Sequence, residues 1–216
     1  MVALADGYRE SAESWRTVLR DLKRRSLRAP VLAAGDGALG FWAAVRDVWP
    51  ETAEQRCWMH RIANVLDKLS RSLSPRAKQA LHEIMYAETR AAAVQGVVDF
   101  GETHGAKYPK AVASLTVDQD HLLAYFDYPA AHWKHLRTTN PIESTFAMVR
   151  VREGVTKGAG SRTAGLTMAF KLLQVAESHW RDIDAAELVP LVPAGVVFED
   201  GVQSEPQQKK RKKAAA

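Results

Sequence analysis

Two carboxylates, one cysteine–histidine pair and a segment rich in arginine are the parts of this sequence whose residue types and settings suit chemistry. Asp36 follows the apolar run Val31-Leu32-Ala33-Ala34-Gly35. The C-terminal end of a buried strand is where open α/β sheets gather ligand and metal groups. Asp36-Gly37 is also a common turn, in which the aspartate bonds local backbone and the glycine supplies positive φ. Taken alone, Asp36 reads as that turn.

Glu143 lies in Thr138-Thr139-Asn140-Pro141-Ile142-Glu143. There Asn140 reads as a helix cap, Pro141 as the first helical residue and Glu143 as the third. A glutamate so placed can bond back to the cap and complement the helix dipole with no other role. Arg150 falls seven residues further on and shares that helix face. An acid and an arginine on one face suit a cation and a phosphate held side by side. Cys57 and His60 have half the spacing of a zinc site, with no second pair following; a buried thiol and a partner-bonded imidazole is the plainer reading. The stretch from Lys157 to Arg162 contains two glycines and can either approach a phosphate and cap the next helix through Ser161, or simply link two helices.

The elements that must position these residues follow from patterning. Residues 2–4 read as a short strand, 11–25 as an amphipathic helix, 29–35 as a buried strand, 39–48 as a helix and 53–58 as a further strand. This alternation predicts an α/β layer with parallel pairing. From residue 74 to 128 the period becomes helical throughout, interrupted at 101–109. A helix at 141–152 and a long one at 162–180, with Leu166, Phe170, Leu173 and Trp180 at helical spacing, complete the pattern. The expected divisions are 1–73, a partial α/β core; 74–128, an all-helical insertion; 129–182, further core helices carrying Glu143; and 183–216, an extension.

Composition sets outer limits. A chain of 216 residues that is 46% hydrophobic can bury a core, and its single cysteine excludes an internal disulfide framework. No apolar run is long enough to cross a bilayer, so no membrane partner is expected and a cytoplasmic location is the working assumption. The net charge of +5 is unevenly spread. The segment 134–171 holds seven lysines and arginines against Glu143 and Glu153, and the last ten residues hold five more with no acid. A concentrated basic segment on an acidic body suits a phosphate-contacting groove, whereas the tail reads as a solvated end.

The ordered pieces Gly35-Asp36-Gly37, Gln55-Arg56-Cys57-Trp58-Met59-His60, Asn64-Val65-Leu66-Asp67, Arg137-Thr138-Thr139-Asn140-Pro141-Ile142-Glu143-Ser144 and Thr156-Lys157-Gly158 together resemble the Mutator-type insertion-sequence transposases. The resemblance implies a ribonuclease H-like fold with a helical insertion, and an Asp-Asp-Glu triad that uses Mg²⁺ or Mn²⁺ for DNA strand cleavage and strand transfer. In it Asp36 matches the second aspartate and Glu143 the glutamate, both as catalytic and metal-binding residues. Cys57 and His60 match a Cys-x-x-His element of supporting role. Arg137, Asn140, Arg150, Arg152, Lys157 and Arg162 are the residues expected to meet DNA.

The family's first aspartate lies on an earlier strand than any resembled here, and Asp6 is a poor substitute for it. The expectation is therefore an N-terminally truncated core with an exposed sheet edge, poor solubility and little activity alone. Expected partners are transposon-end and target DNA, with a homo-oligomer or a full-length transposase. The alternatives are a non-catalytic DNA-binding or dimerising fragment and, behind it, a metal-stabilised structural module around Cys57 and His60.

Overall fold

The computed structural model describes residues 3–5, 11–156 and 160–204; side chains at 141, 142, 144, 148, 153 and 156 are outside that description. The basic tail, Asp6 and Lys157 therefore lie outside the described residues, as does Val2 of the expected first strand, whose remaining residues Ala3 and Leu4 are not in a strand.

Helix α1 (Ala12–Arg24) starts where Ser11 Oγ accepts the Ser14 N–H at 3.2 Å, and it carries Glu13 in its first turn and Lys23 and Arg24 in its last. Cap and charges both oppose the orphaned groups and dipole of the helix ends. Leu19 and Leu22 pack against Ala44, Val45, Val48 and Trp49 on and just after helix α2 (Leu39–Val48). The two helices touch closely at Gly40, where a Cβ would lie 2.9 Å from the Ala12 nitrogen. Arg16 and Arg20 both reach Asp47 at 3.0 Å across the outside of this contact.

Strands β1 (Leu32–Gly35) and β2 (Ala53–Arg56) flank α2 in sequence and pair in parallel, Leu32 opposite Ala53 and Gly35 opposite Arg56. This is the strand–helix–strand order expected for 29–58, with β2 ending two residues early because Trp58 opens a helix. The expectation of a buried strand at 29–35 needs correction. Val31 is exposed and only Gly35 of β1 is fully buried, since β1 has a strand neighbour on one side only among the described residues.

β2 is the reverse case, a polar strand that is buried. Glu54, Gln55 and Arg56 are each less than a tenth exposed, and such groups are tolerated inside only when paired. Glu54 meets Arg46 at 2.5 Å and Arg56 at 3.2 Å; Arg56 continues to Asp118 at 2.7 Å and stacks over Trp42. Gln55 donates to the Leu122 carbonyl at 2.9 Å and accepts the Tyr125 N–H at 2.7 Å. Those partners belong to the helical part of the molecule.

That part begins with α3 (Trp58–Leu66), followed by α4 (Ser74–Met85), α5 (Arg90–His104), α6 (Pro109–Thr116) and α7 (Gln119–Leu122). Pro75 and Pro109 stand in first turns, and Thr89 caps α5. The second core joins Trp58, Ile62, Leu81, Phe100, Leu115, Tyr125 and Phe126, among others. Short 3-10 turns at Ala124–Asp127 and Ala130–His132 lead to α8 (Trp133–Leu136). The hairpin of β3 (Phe198–Glu199) and β4 (Val202–Gln203) clips onto them. Gly201 makes this possible: at φ +78 it exchanges backbone bonds with Phe126 and Ala130, and a Cβ there would strike Ala130 and Trp133.

Helices α9 (Asn140–Thr156) and α10 (Arg162–Glu177) pack on each other, with Ser161 capping α10 through the Ala164 N–H at 3.2 Å. α10 stops three residues short of the expected Trp180, whose indole donates to Thr145 from beyond the helix. Val151, Val155, Phe170 and Val175 of this pair face solvent.

Replacing Gln55 by leucine keeps the bulk but strands the Tyr125 N–H and the Leu122 carbonyl. The expected loss is about 1–3 kcal/mol for each group left unpaired, read as a lower urea midpoint; an unchanged midpoint would show the joint to be indifferent to this amide.

Candidate metal centre

Asp36 bonds local backbone as the sequence suggests, but Gly37 does not take the positive φ expected of it, and Asp36 still lines a cavity. Its Oδ1 accepts the Ala38 N–H at 2.9 Å and its carbonyl accepts the Trp42 indole N–H at 2.7 Å. The Asp36 side chain lines an open cavity of about 430 Å³ with Gly35, Phe41, His60, Thr139 and Glu143. The local bond and a place in the cavity wall therefore coexist at one residue.

Glu143 stands in the first turn of α9, one residue further into the helix than expected. Its N–H bonds to the Thr139 carbonyl at 3.1 Å, so Thr139 rather than Asn140 takes the capping position. The Thr139 hydroxyl donates to Glu143 Oε1 at 2.5 Å, the local bond back to the cap foreseen for a helix-start glutamate. Thr139 also turns inward. Its N–H and Oγ1 each lie 3.3 Å from Cys57 Sγ, so the single hydroxyl proton serves the carboxylate or the sulfur at any moment. Sequence reasoning assigned no role to Thr139; a threonine four residues ahead of Glu143 at a helix start was the available signal.

Cys57, only 2% exposed, precedes α3, and its N–H continues the strand ladder to the Gly35 carbonyl at 2.7 Å. His60 is the third residue of α3. Its Nδ1 is buried and lies 3.7 Å from Glu143 Oε1. One donor atom from each of Cys57, His60 and Glu143 falls within 4.8 Å of the other two. Burial pushes the Cys57 thiol up, but bonds from Thr139 and His60 outweigh it and hold the thiol below its ordinary value. His60 is raised, first by Cys57 and then by the charges of Glu143 and Asp36, against the opposing effect of burial.

A family model described as "Transposase, Mutator family" matches residues 2–182. The chain belongs to the Mutator family of transposases. It is 60% identical over 201 residues to the transposase for insertion sequence element IS6120 of Mycolicibacterium smegmatis, an alignment covering 93% of this chain and 62% of that protein. It is 51% identical over 203 residues to the transposase for insertion sequence element IST2 of Acidithiobacillus ferrooxidans, covering 94% of this chain and 69% of that one. The chain thus spans about two thirds of the length of these Mutator-family relatives.

The other positions singled out in this family member fall into two groups. Arg137 is engaged with the protein itself: Nη1 donates to the Met85 carbonyl at 2.8 Å, and the guanidinium packs among Tyr86, Tyr125 and Trp133. Asn140, Arg150, Arg152 and Arg162 are exposed on α9 and α10, with Asn140 beside the cavity mouth in sequence and the three arginines further along the helices. No helix among the described residues is long and apolar enough to cross a membrane.

Because His60 is raised above its ordinary value of 6.5, its stabilising contribution is full below that value and is lost as pH rises through the raised one. The difference in Tm between the parent chain and His60→Gln is therefore expected to be largest near pH 6 and to close on the alkaline side (about pH 6 taken from the ordinary imidazole range). A gap that widens with pH would give the opposite sign.

Proposed function

We propose that this chain supplies Asp36 and Glu143 to a Mg²⁺- or Mn²⁺-dependent site for DNA strand cleavage and strand transfer, carried on a ribonuclease H-like core. The observation that carries the reading is their meeting: residues far apart in sequence, one at the end of β1 and one in the first turn of α9, line the same open cavity. Its position outside the carboxyl end of a strand in an α/β unit is the usual place for such a site. Hard carboxylate oxygens on a solvent-open cavity fit Mg²⁺ or Mn²⁺. Divalent ions there activate the attacking oxygen and stabilise the leaving one in phosphodiester transfer.

The chain's own residues hold the geometry. The Ala38 N–H fixes Asp36 Oδ1 and turns the other carboxylate oxygen into the role of ligand. Thr139 fixes Glu143, while the amide groups at the start of α9 favour negative charge beside it. Arg150, seven residues along from Glu143, and the exposed Arg152 and Arg162 are the groups expected to meet DNA phosphates. Asp36 and Glu143 are the carboxylates lining this cavity among the described residues, and two carboxylates hold hard ions weakly, so we expect weak activity from this chain in isolation.

The test is cleavage and joining of transposon-end DNA by the purified chain with Mn²⁺. Asp36→Asn and Glu143→Gln are expected to remove the products, and Thr139→Val to reduce them about 10- to 100-fold, as for residues that orient a ligand. Full activity in Asp36→Asn would overturn the assignment.

The exposed arginines of α9 and α10 favour a second reading, in which the chain binds DNA and pairs with another transposase copy without performing chemistry. Under either reading Arg150→Ala with Arg152→Ala is expected to lower the salt dependence of DNA binding by a slope of about 2. Tight, salt-sensitive binding with no product under any divalent ion would select the second reading over the first.

A further inference from the structure

We infer that Cys57, His60 and Glu143 form a site for a borderline-soft divalent cation of the Zn²⁺ class, and that Glu143 is shared between this site and the hard-cation pair with Asp36. The binding half of this statement stands by itself; the sharing half rests on the function proposed above.

The donor set decides the class. A thiolate and an imidazole select zinc-like ions over magnesium, while a carboxylate is acceptable to both. The spacing fits as well. Bond lengths of about 2.0–2.3 Å in a tetrahedral site put neighbouring donor atoms roughly 3.3–3.8 Å apart. His60 Nδ1 and Glu143 Oε1 are 3.7 Å apart, and all three donors lie within 4.8 Å of one another. Closing the larger gaps asks for side-chain adjustment of at most about 1.5 Å.

Two further observations point to a ligand. His60 Nδ1 is a buried atom that lies 3.7 Å from Glu143 Oε1 and belongs to an imidazole that interacts with the Cys57 sulfur, so it faces two groups that bear negative charge when ionised. A cation between these groups would be met by donors from three sides. The outer shell is also already built: the Thr139 N–H bonds the Cys57 sulfur, and the Thr139 hydroxyl donates to either that sulfur or Glu143 Oε1. Backbone and hydroxyl donors to a ligating sulfur and carboxylate are what orient ligands around a metal. Three protein donors beside an open cavity leave the fourth position to water or a bound group, as in sites that exchange their ion.

A consequence follows from geometry. With a zinc-class ion in place, Glu143 Oε1 is drawn toward Cys57 and His60, and one oxygen of the pair with Asp36 is committed elsewhere. Zinc occupancy and Mg²⁺ or Mn²⁺ occupancy then oppose each other, with Glu143 as the common ligand.

The experiment is titration of the full chain, stripped with chelator, with Co²⁺ as a spectroscopic stand-in and Zn²⁺ as competitor. The expected result is one equivalent bound, with a thiolate-to-cobalt charge-transfer band that Zn²⁺ abolishes. Cys57→Ser removes the band and His60→Gln weakens binding at least about tenfold, as does Thr139→Val. Glu143→Gln weakens Co²⁺ binding, and added Mn²⁺ lowers the apparent Co²⁺ affinity in the parent chain but not in Asp36→Asn. Circular dichroism on each variant separates loss of binding from loss of fold, and His60→Gln, at a partly exposed position, guards against misfolding of the buried Cys57→Ser. Absence of the charge-transfer band in the folded parent overturns the site. An affinity unchanged by Glu143→Gln overturns Glu143 as its third ligand. Neither readout uses DNA or turnover, so failure here leaves the proposed strand-transfer function standing, and failure of that function leaves the metal titration to be judged by itself.

Discussion

Much of this molecule hangs on a short polar strand in a place where sequence patterns ordinarily put valine or isoleucine. β2 reads Ala53-Glu54-Gln55-Arg56, and its last three residues are buried. Each is tolerable only because a partner from another element meets it: Arg46 for Glu54, two backbone groups near α7 for Gln55, Asp118 for Arg56. Arg61 joins the same aspartate. Buried ion pairs add little net stability against apolar replacements, but a pair that loses one member costs several kcal/mol. The strand therefore specifies where the helical part docks more than it strengthens the docking. Were the helices to sit in another register, the Arg56–Asp118 pair would be broken and the Gln55 amide would lose both the Leu122 carbonyl and the Tyr125 N–H.

A second constraint acts at finer scale through Thr139. The residue ends the turn after α8, starts α9, and bonds Cys57 and Glu143 at once. Cys57 is in turn tied to Gly35, the neighbour of Asp36. A continuous set of hydrogen bonds thus runs from the end of β1 to the first turn of α9, and it passes through sulfur. This arrangement gives Cys57 a reason to be cysteine that burial alone does not supply. Serine would shorten the reach by several tenths of an ångström, and alanine would leave the Thr139 N–H without its acceptor.

The parts of the fold that were legible in the sequence are those decided locally. Ser161 as a cap, the helix that follows residue 11, residues 39–48 as a helix and the strand ending at Gly35 rest on neighbours within a few positions, and the structure has them there. Helix α5 runs through Gly101 because Phe100 and Val97 are buried in the second core, a tertiary gain that outweighs the local cost of glycine. The shift of the α9 cap from Asn140 to Thr139 has the same origin: both residues can cap, and the contact with Cys57, remote in sequence, selects between them. Asp36 and Glu143 were visible by type and setting, and their meeting across one cavity was not, since no local pattern encodes a distance between β1 and α9. Arg137 shows a contact that locality hides. Its place in a basic segment suggests an outward role, whereas the aromatic rings of Tyr86, Tyr125 and Trp133 around it come from three separate stretches of chain.

Asp36 and Glu143 are mounted on different foundations. Asp36 is fastened to α2, whose inner face belongs to the small core with α1, while Glu143 is fastened through Thr139 and Cys57 to the start of α3, whose inner face belongs to the large helical core. The two carboxylates are the jaws of a caliper whose arms are two hydrophobic cores. A tilt of one core against the other would therefore change the jaw spacing, and the parallel pairing of β1 and β2 is one of the bonds that resists it.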